Sequence, residues 1–264
     1  MLGKNQCALR WPQIPIPIGY QETIVTPKAS RNVEAYWSFT ASKHGHSLIL
    51  PDGRCDIIFR HNIHSTDTPT PVVTGPATQP YAVEYDVGDS WIGMRLRPSS
   101  GVALWQGKIN NAANYVLRGP KALGLLPELA ALNNRSLTQA KLEQALAAIQ
   151  LPNVDPRLTR ALDALHLSGG RMRIEKLSQF ACCSTRHLNR MFRCNVGLTT
   201  KTYAQLVQFH RALNLIRSEH LPITDAAFEA GYTDHAHLTR AFRRYGGFFP
   251  SKIPQDLSPP MLPS

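Results

Sequence analysis

The chain has 264 residues, 43% of them hydrophobic, enough to bury one large core or two ordinary ones. Its formal charge of +11 points to an anionic partner, and the excess is local: residues 1–155 hold 14 Lys/Arg against 11 Asp/Glu, residues 156–264 hold 15 against 7. No stretch approaches the ~20 apolar residues of a membrane span, and prolines interrupt the N-terminus where a signal peptide needs an apolar helix, so a cytoplasmic protein with no membrane partner is expected.

Pro12, Pro15 and Pro17 exclude helix near the N-terminus, so residues 1–35 are expected to be extended. Short strands follow, over Ala35–Thr40, Ser47–Leu50, Cys55–His61, Val72–Thr74, Tyr81–Tyr85 and Trp91–Leu96. Turn residues separate them, among them Pro51-Asp52-Gly53, Gly75-Pro76 and Gly88-Asp89. Many short strands at close spacing suggest a small barrel or sandwich. The period then changes, with short helices predicted over Ser99–Gln106 and Leu123–Leu132. A capping-box sequence at Ser136–Gln139 opens a third helix to about Gln150, striped by Leu142, Ala145, Leu146 and Ile149. Two roles are open for its apolar face, dimerisation or packing onto its own barrel. Pro152 and Pro156 mark the boundary between domains.

The second half is nearly all helix. Arg157–Ser168 is followed by two units of one plan, a short helix, a tight turn and a basic helix, which is a helix-turn-helix signature. In the first, Ile174, Leu177 and Ala181 face inward and Ser184 caps a helix with Leu188, Met191 and Phe192 inside. In the second, Ile223, Ala226, Ala227 and Ala230 precede Gly231, and Asp234 caps a helix with Leu238, Ala241 and Phe242 inside. Ser184, Leu188 and Phe192 recur 50 residues on as Asp234, Leu238 and Phe242. A connecting helix from about Thr200 to Ser218, ~27 Å at 1.5 Å per residue, holds the units apart. The proline-rich tail over residues 254–264 is expected to be disordered.

Through LSQFACCSTRHLNRMFRCNVGL, Arg211–Leu213 and AAFEAGYTDHAHLTRAFRRYGGFFPSKI, residues 157–253 resemble the double helix-turn-helix of the AraC/XylS family of transcriptional regulators. More weakly, through Pro51–Phe59, Gly75-Pro76 and Gly93–Pro98, residues 1–150 resemble the cupin-like sensor domain of some members. The resemblance implies an α+β chain of two domains, a β-rich cupin-like sensing or dimerising domain and an all-α DNA reader. It implies double-stranded DNA as partner and, more distantly, RNA polymerase, a small-molecule effector and a second copy of the chain. By position, base-reading residues fall on Arg186, Asn189 and Arg190 and on His235, His237 and Arg240, with one of the two histidines alternatively lining the turn and Thr239 a further DNA-binding residue. Arg193, Arg243 and Arg244 fall where phosphates are met. The chemistry suits these places, since Arg pairs bidentately with guanine, Asn suits adenine, and a Thr or Ala methyl can meet thymine. The chain departs from the family pattern at Ser178, Cys182, Gln208 and Phe249.

Tyr36, Trp37, Trp91 and Arg95 are candidates to line an effector pocket, the alternative being a place in the core. His44, His46, Cys55, His61 and His64 match no closed zinc spacing, and no metal or cofactor is assigned. The five cysteines are odd in number and irregularly spaced, as free thiols are; Cys182 is expected to pack in a small-residue position. No phosphate loop, nucleophile elbow or HExxH is present, so no enzyme is expected; a metal-dependent cupin enzyme with an accessory nucleic-acid domain is the alternative.

Overall fold

Alternation along the strands sets the architecture of the N-terminal half. In β4 (Cys55–Asn62), Cys55, Ile57 and Phe59 point one way and Asp56 and Ile58 the other, so the sheet must be covered on both faces. The computed structural model describes residues 19–105, 111–132, 137–149, 151, 153–254 and 257–258, and there the requirement is met twice. With β1 (Tyr20–Ile24), β2 (Val33–Thr40), β5 (Thr70–Thr74), β7 (Asp89–Leu96) and β8 (Val116–Arg118), β4 forms a six-stranded antiparallel sheet in the order β1-β2-β7-β4-β5-β8. A second sheet of β6 (Tyr81–Tyr85), β3 (Gly45–Ile49) and β9 (Leu257–Ser258) covers one face, enclosing Trp37, Phe39, Ile49, Ile58, Val83 and Trp91.

Helices cover the other face. Tyr36, Ile57, Phe59, Val73 and Met94 meet α1 (Pro120–Leu125), a 3-10 turn at Pro127–Leu132 and α2 (Gln139–Ala148). The apolar stripe of α2 is therefore buried on its own sheet, which takes that face out of use for dimerisation. The helix predicted over Leu123–Leu132 is broken in two, because Pro127 cannot continue α1. Ser99–Gln106 is a 3-10 turn at Gly101–Trp105, while Gln106 and the Ser136 of the capping box lie outside the described residues. Thr138 caps α2, its hydroxyl accepting from the Lys141 N–H at 3.4 Å.

The C-terminal half is a single helical core. α3 (Pro156–Leu167) packs on α4 (Ile174–Phe180) and α5 (Thr185–Asn195), the first unit; α7 (Ile223–Glu229) and α8 (His235–Ala241) form the second. α6 (Thr200–Arg217) runs between them. Its Tyr203 ring meets Phe192 at 5.8 Å and its Phe209 ring meets Phe242 at 5.2 Å, so each unit is anchored to the connecting helix by its own aromatic pair. The sheet-and-helix plan in two halves agrees with the α+β expectation.

Two expectations fail. The tail is not wholly disordered: Leu257 and Ser258 add a parallel strand to Leu48 and Ile49, and Leu257 is buried in the helical core. The open edge of β3 supplies partners that a proline-rich sequence does not advertise. Cys182 is exposed rather than packed, and its φ is +52°. It stands where Gly231 stands in the second unit, at φ +81°, so the position selects for a left-handed backbone and not for side-chain volume.

The halves meet around one buried turn. Leu50 is fully buried in the helical core, and the Pro51 carbonyl accepts from His210 Nε2 of α6 at 2.7 Å. Gly53, at φ +69°, lies over Tyr203, whose hydroxyl bonds His166 Nε2 at 2.8 Å. Gly197, just after α5, sits against Pro76 and Val102 so tightly that a Cβ would be 2.8 Å from Val102. Gly247, just beyond α8, approaches Pro80.

Replacing Cys182 by Gly removes a left-handed L-residue costing roughly 1–2 kcal/mol, partly offset by a looser unfolded chain. Cys182→Gly is therefore expected to raise Tm by about 2–4 °C in a thermal melt, and an unchanged or lower Tm would show the turn to be unstrained. Burial holds the His210 imidazole neutral, depressing its pKa to about 3. The folded state binds no proton there while the unfolded chain does, so this site weakens folding as pH falls from about 6.5 towards 3. His210→Gln, which keeps a donor for the Pro51 carbonyl, should gain on the parent by up to about 1.4 kcal/mol per pH unit across that window. Denaturant melts at pH 7 and pH 5 check this; a constant gap would show His210 to be solvated.

Candidate nucleic-acid interface and an internal cavity

Each basic helix is fixed by a cap and an apolar inner face. Ser184 Oγ accepts from the His187 N–H at 3.2 Å and Asp234 Oδ1 from the His237 N–H at 2.6 Å. Leu188 and Phe192 in α5, and Leu238 and Phe242 in and after α8, are fully buried. With those faces inside, the exposed residues of α5 include Arg186, Arg190 and Arg193 at a spacing of four and three, one stripe of a helix. The 50-residue match places Arg190 on Arg240 and Arg193 on Arg243, all exposed. Ile174, Leu177, Ala181 and Cys182 match Ile223, Ala226, Ala230 and Gly231 at 49 residues, so the second turn holds one residue more.

The register separates the expected site residues into two groups. His187 and His237 match, both half-buried beside a buried leucine. His237 lines the turn: its Nδ1 is 3.0 Å from the Thr233 hydroxyl and its ring stands edge-on to Tyr232 at 5.0 Å. His235 is the exposed histidine of the pair. Asn189 and Thr239 also match and are half-buried, each bonded to backbone. Asn189 Oδ1 accepts from the Thr200 N–H at 3.2 Å, tying α5 to the start of α6, and the Thr239 hydroxyl donates to the His235 carbonyl at 2.8 Å. Arg190 Nη2 lies 3.2 Å from His187 Nδ1, which holds the guanidinium along the helix.

After Ala241 the second helix widens into a π turn, Phe242–Gly246. The extra residue per turn rotates Arg243 and Arg244 relative to their places in a regular helix. Arg243 then lies over the Phe249 ring at 5.3 Å and Arg244 over the Tyr245 ring at 5.2 Å. Phe249, Gln208 and Ser178, three departures from the family pattern, each have a contact of their own. Phe249 carries Arg243, Gln208 Nε2 donates to the Ala230 carbonyl at 3.1 Å, and the Ser178 hydroxyl donates to the Glu175 carbonyl at 2.8 Å. Ala236 is exposed in the first turn of α8 and matches Arg186, a small apolar place the motif reading did not single out.

The N-terminal half holds a cavity of about 360 Å³, small for a ligand site but within the usual range. Its wall includes Asp52, Arg54, Asp56, Tyr81, Asn114 and Arg118. None of the four residues expected to line an effector pocket is in that wall. Tyr36 belongs to the core on the helix-covered face, because it neighbours Trp37 and must point the opposite way. Trp91 is stacked in the core between the sheets, 5.5 Å from Phe39 and under Arg60. Trp37 and Arg95 act one layer back: Trp37 Nε1 donates to Asp56 Oδ1 at 3.0 Å, and Arg95 pairs with Glu22 at 2.9 Å while lying 3.8 Å from Asp52 and 3.9 Å from Asp56. The signal for the wall is the charged series Asp52, Arg54, Asp56, which runs from the turn into the start of β4. Among the described residues no group of three or more His, Cys, Asp or Glu is arranged to hold a metal, and His44 instead pairs with Asp86 at 2.8 Å. No helix among them is long and apolar enough to cross a membrane.

Residues 177–255 match the family described as a helix-turn-helix domain, and residues 25–118 match one described as a domain of unknown function. The arabinose operon regulatory protein of Escherichia coli K12 is 22% identical over 140 residues, 52% of this chain and 48% of that protein. The HTH-type transcriptional activator RhaS of Klebsiella pneumoniae is 32% identical over 116 residues, 43% of this chain and 41% of that protein. The chain thus matches about half or less of the length of these curated relatives. Among solved structures, ToxT of Vibrio cholerae is 9% identical, with a TM-score of 0.42 over 88% of this chain and 97% of its own. The DNA-binding domain of AdpA in complex with a target DNA is 24% identical, with a TM-score of 0.34 over 37% of this chain and 87% of its own. Through the two helix-turn-helix units set on one connecting helix, the C-terminal half of the chain is thus a helix-turn-helix domain similar to those of the arabinose operon regulatory protein and RhaS.

Proposed function

We propose that the chain is a sequence-specific, DNA-binding transcriptional regulator that acts in the cytoplasm and performs no enzymatic step. The observation that carries this is the matched pairs of exposed arginines, Arg190 and Arg193 on α5 and Arg240 and Arg243 on α8 and the π turn after it, joined by a connecting helix ~27 Å long. In this reading the two helices enter successive major-groove segments ~34 Å apart on one face of the duplex. Arg186, Arg190, His235 and Arg240 approach base edges, whereas Asn189, His237 and Thr239 chiefly brace the helices that present them. Arg193, Arg243 and Arg244 meet phosphates, where the rings under the last two hold their guanidiniums extended. The N-terminal domain, with its internal cavity, is the regulatory half. The Leu50–Arg54 turn belongs both to the cavity wall and to the contact with α6, so an occupant of the cavity alters the seat of the DNA reader. RNA polymerase and a second copy of the chain are further partners of this reading; a dimer would use a surface other than the buried stripe of α2.

Arg190→Ala and Arg240→Ala should each cost ~1–3 kcal/mol of affinity for a selected operator and little for scrambled DNA, measured by fluorescence anisotropy. Arg193→Ala should weaken both DNAs alike and reduce the salt dependence by about one phosphate contact. If both the Arg190 and Arg240 variants bind the operator as the parent does, the two-groove reading is wrong.

A further inference from the structure

The two units carry three arginines each on their second helices, but in different places. On α5 they are Arg186, Arg190 and Arg193, all exposed and about one turn apart along a single stripe. At the 50-residue offset the same stripe of the second unit reads Ala236, Arg240 and Arg243, again exposed. The third arginine there is Arg244, which lies off the stripe and matches Cys194. The backbones part at the same point. α5 stays regular to Asn195, whereas the second helix passes into the π turn at Phe242–Gly246, where Arg243 and Arg244 rest on the Phe249 and Tyr245 rings. A guanidinium laid over a ring keeps its N–H edge for a phosphate oxygen. Arg190 is held in another way. Its Nη2 donates to His187 Nδ1 at 3.2 Å, since a guanidinium cannot accept, and its other N–H groups are left for a base. His237, which matches His187, has its Nδ1 on the Thr233 hydroxyl instead.

We infer that the units divide the work: the first supplies most of the sequence discrimination, and the second supplies most of the phosphate contact and reads a thymine where the first reads a guanine. In the first, Arg186 and Arg190 each take a guanine, O6 and N7 on one guanidinium fork. Residues four apart are separated by about 6 Å along a helix and stacked bases by about 3.4 Å, so the two guanines fall within about two base pairs of each other. In the second, Arg240 takes one guanine. Ala236 stands in the place of Arg186 with no donor or acceptor on its side chain, and its methyl meets the C5 methyl of a thymine. Arg243 and Arg244 take phosphates there, against Arg193 alone in the first unit. The operator is therefore a pair of unlike segments, not a repeat of one. This rests on the reading of both helices as groove readers, and it assigns what each of them reads.

The full-length chain and its Arg186→Ala and Ala236→Arg variants are each used to select from a random double-stranded DNA library, and cooperative melting verifies that the variants are folded. The parent should enrich one segment with two guanines and one with a guanine and a thymine. Arg186→Ala should lose a guanine from the first segment, and Ala236→Arg should exchange the thymine of the second for guanine. With the unaltered chain, deoxyuridine in place of that thymine removes only the methyl and should weaken binding about fourfold. Arg243→Ala combined with Arg244→Ala should keep the selected sequence and lower the salt dependence by about two phosphate contacts, twice the effect of Arg193→Ala. Two like segments, an enriched sequence that neither Arg186→Ala nor Ala236→Arg alters, a deoxyuridine without effect, or a salt dependence that falls no further in the double variant than in Arg193→Ala overturns the division and leaves the regulator reading standing. A parent chain that enriches no sequence overturns the regulator reading itself, and the division with it.

Discussion

Residues 50–54 form a turn that belongs to two cores at once, and most of the molecule is arranged around it. Leu50 is fully buried among the helices, the Pro51 carbonyl takes the His210 N–H, and Gly53 allows the chain to reverse against Tyr203. Arg54, also fully buried, returns the chain to the sheet and is held by Glu34. An arginine buried without its carboxylate would carry a desolvation cost of several kcal/mol, so Arg54 and Glu34 must be placed together or not at all. That coupling fixes β2 against β4 and fixes the turn, which is the seat of α6.

The helical half was legible in the sequence because its determinants are local. Caps at Ser184 and Asp234, inward residues at helical spacing and a left-handed turn residue lie within about twenty residues of one another in each unit. What the sequence did not yield there needs neighbours to define it. Asn189 looks like a reader of adenine until Thr200, eleven residues on, supplies an N–H for its oxygen. His235 and His237 are indistinguishable as letters and are separated only by the Tyr232 ring and the Thr233 hydroxyl. The π turn after Ala241 follows from no propensity; it depends on where Phe242, Tyr245 and Phe248 must pack.

The N-terminal half was legible as strands but not as a site. The ranges of β2, β4, β6 and β7 follow from alternation and turn residues, yet alternation alone does not say which face holds a cavity. Aromatic residues drew attention to Tyr36, Trp37 and Trp91, and large rings on a doubly covered sheet are core more often than lining. The charges at and behind the cavity have remote partners: Glu34 lies 20 residues before Arg54, which lines it, and Glu22 lies 73 before Arg95, one layer back. The edge strand at Leu257 was invisible for the same reason, since its partner is Leu48.

These long-range ties bear on how a signal travels. Both helix-turn-helix units rest on the loop from Gly75 to Pro80, the first through Gly197 on Pro76 and the second through Gly247 on Pro80, and four of that loop's residues line the cavity. The tail strand joins β3 immediately before the 50–54 turn, and α6 is bonded to the turn itself. The two halves are thus connected through two short segments that are also walls of one cavity. A ligand shifts such an equilibrium only by the difference in its affinity for the two arrangements, and here the groups that would touch it are few residues from those that hold the reader. Loss of the 2.7 Å bond between His210 and Pro51 would leave a buried carbonyl unsatisfied, a cost of about 1–3 kcal/mol. A bond of that size at the contact between the halves is comparable in magnitude to measured allosteric couplings.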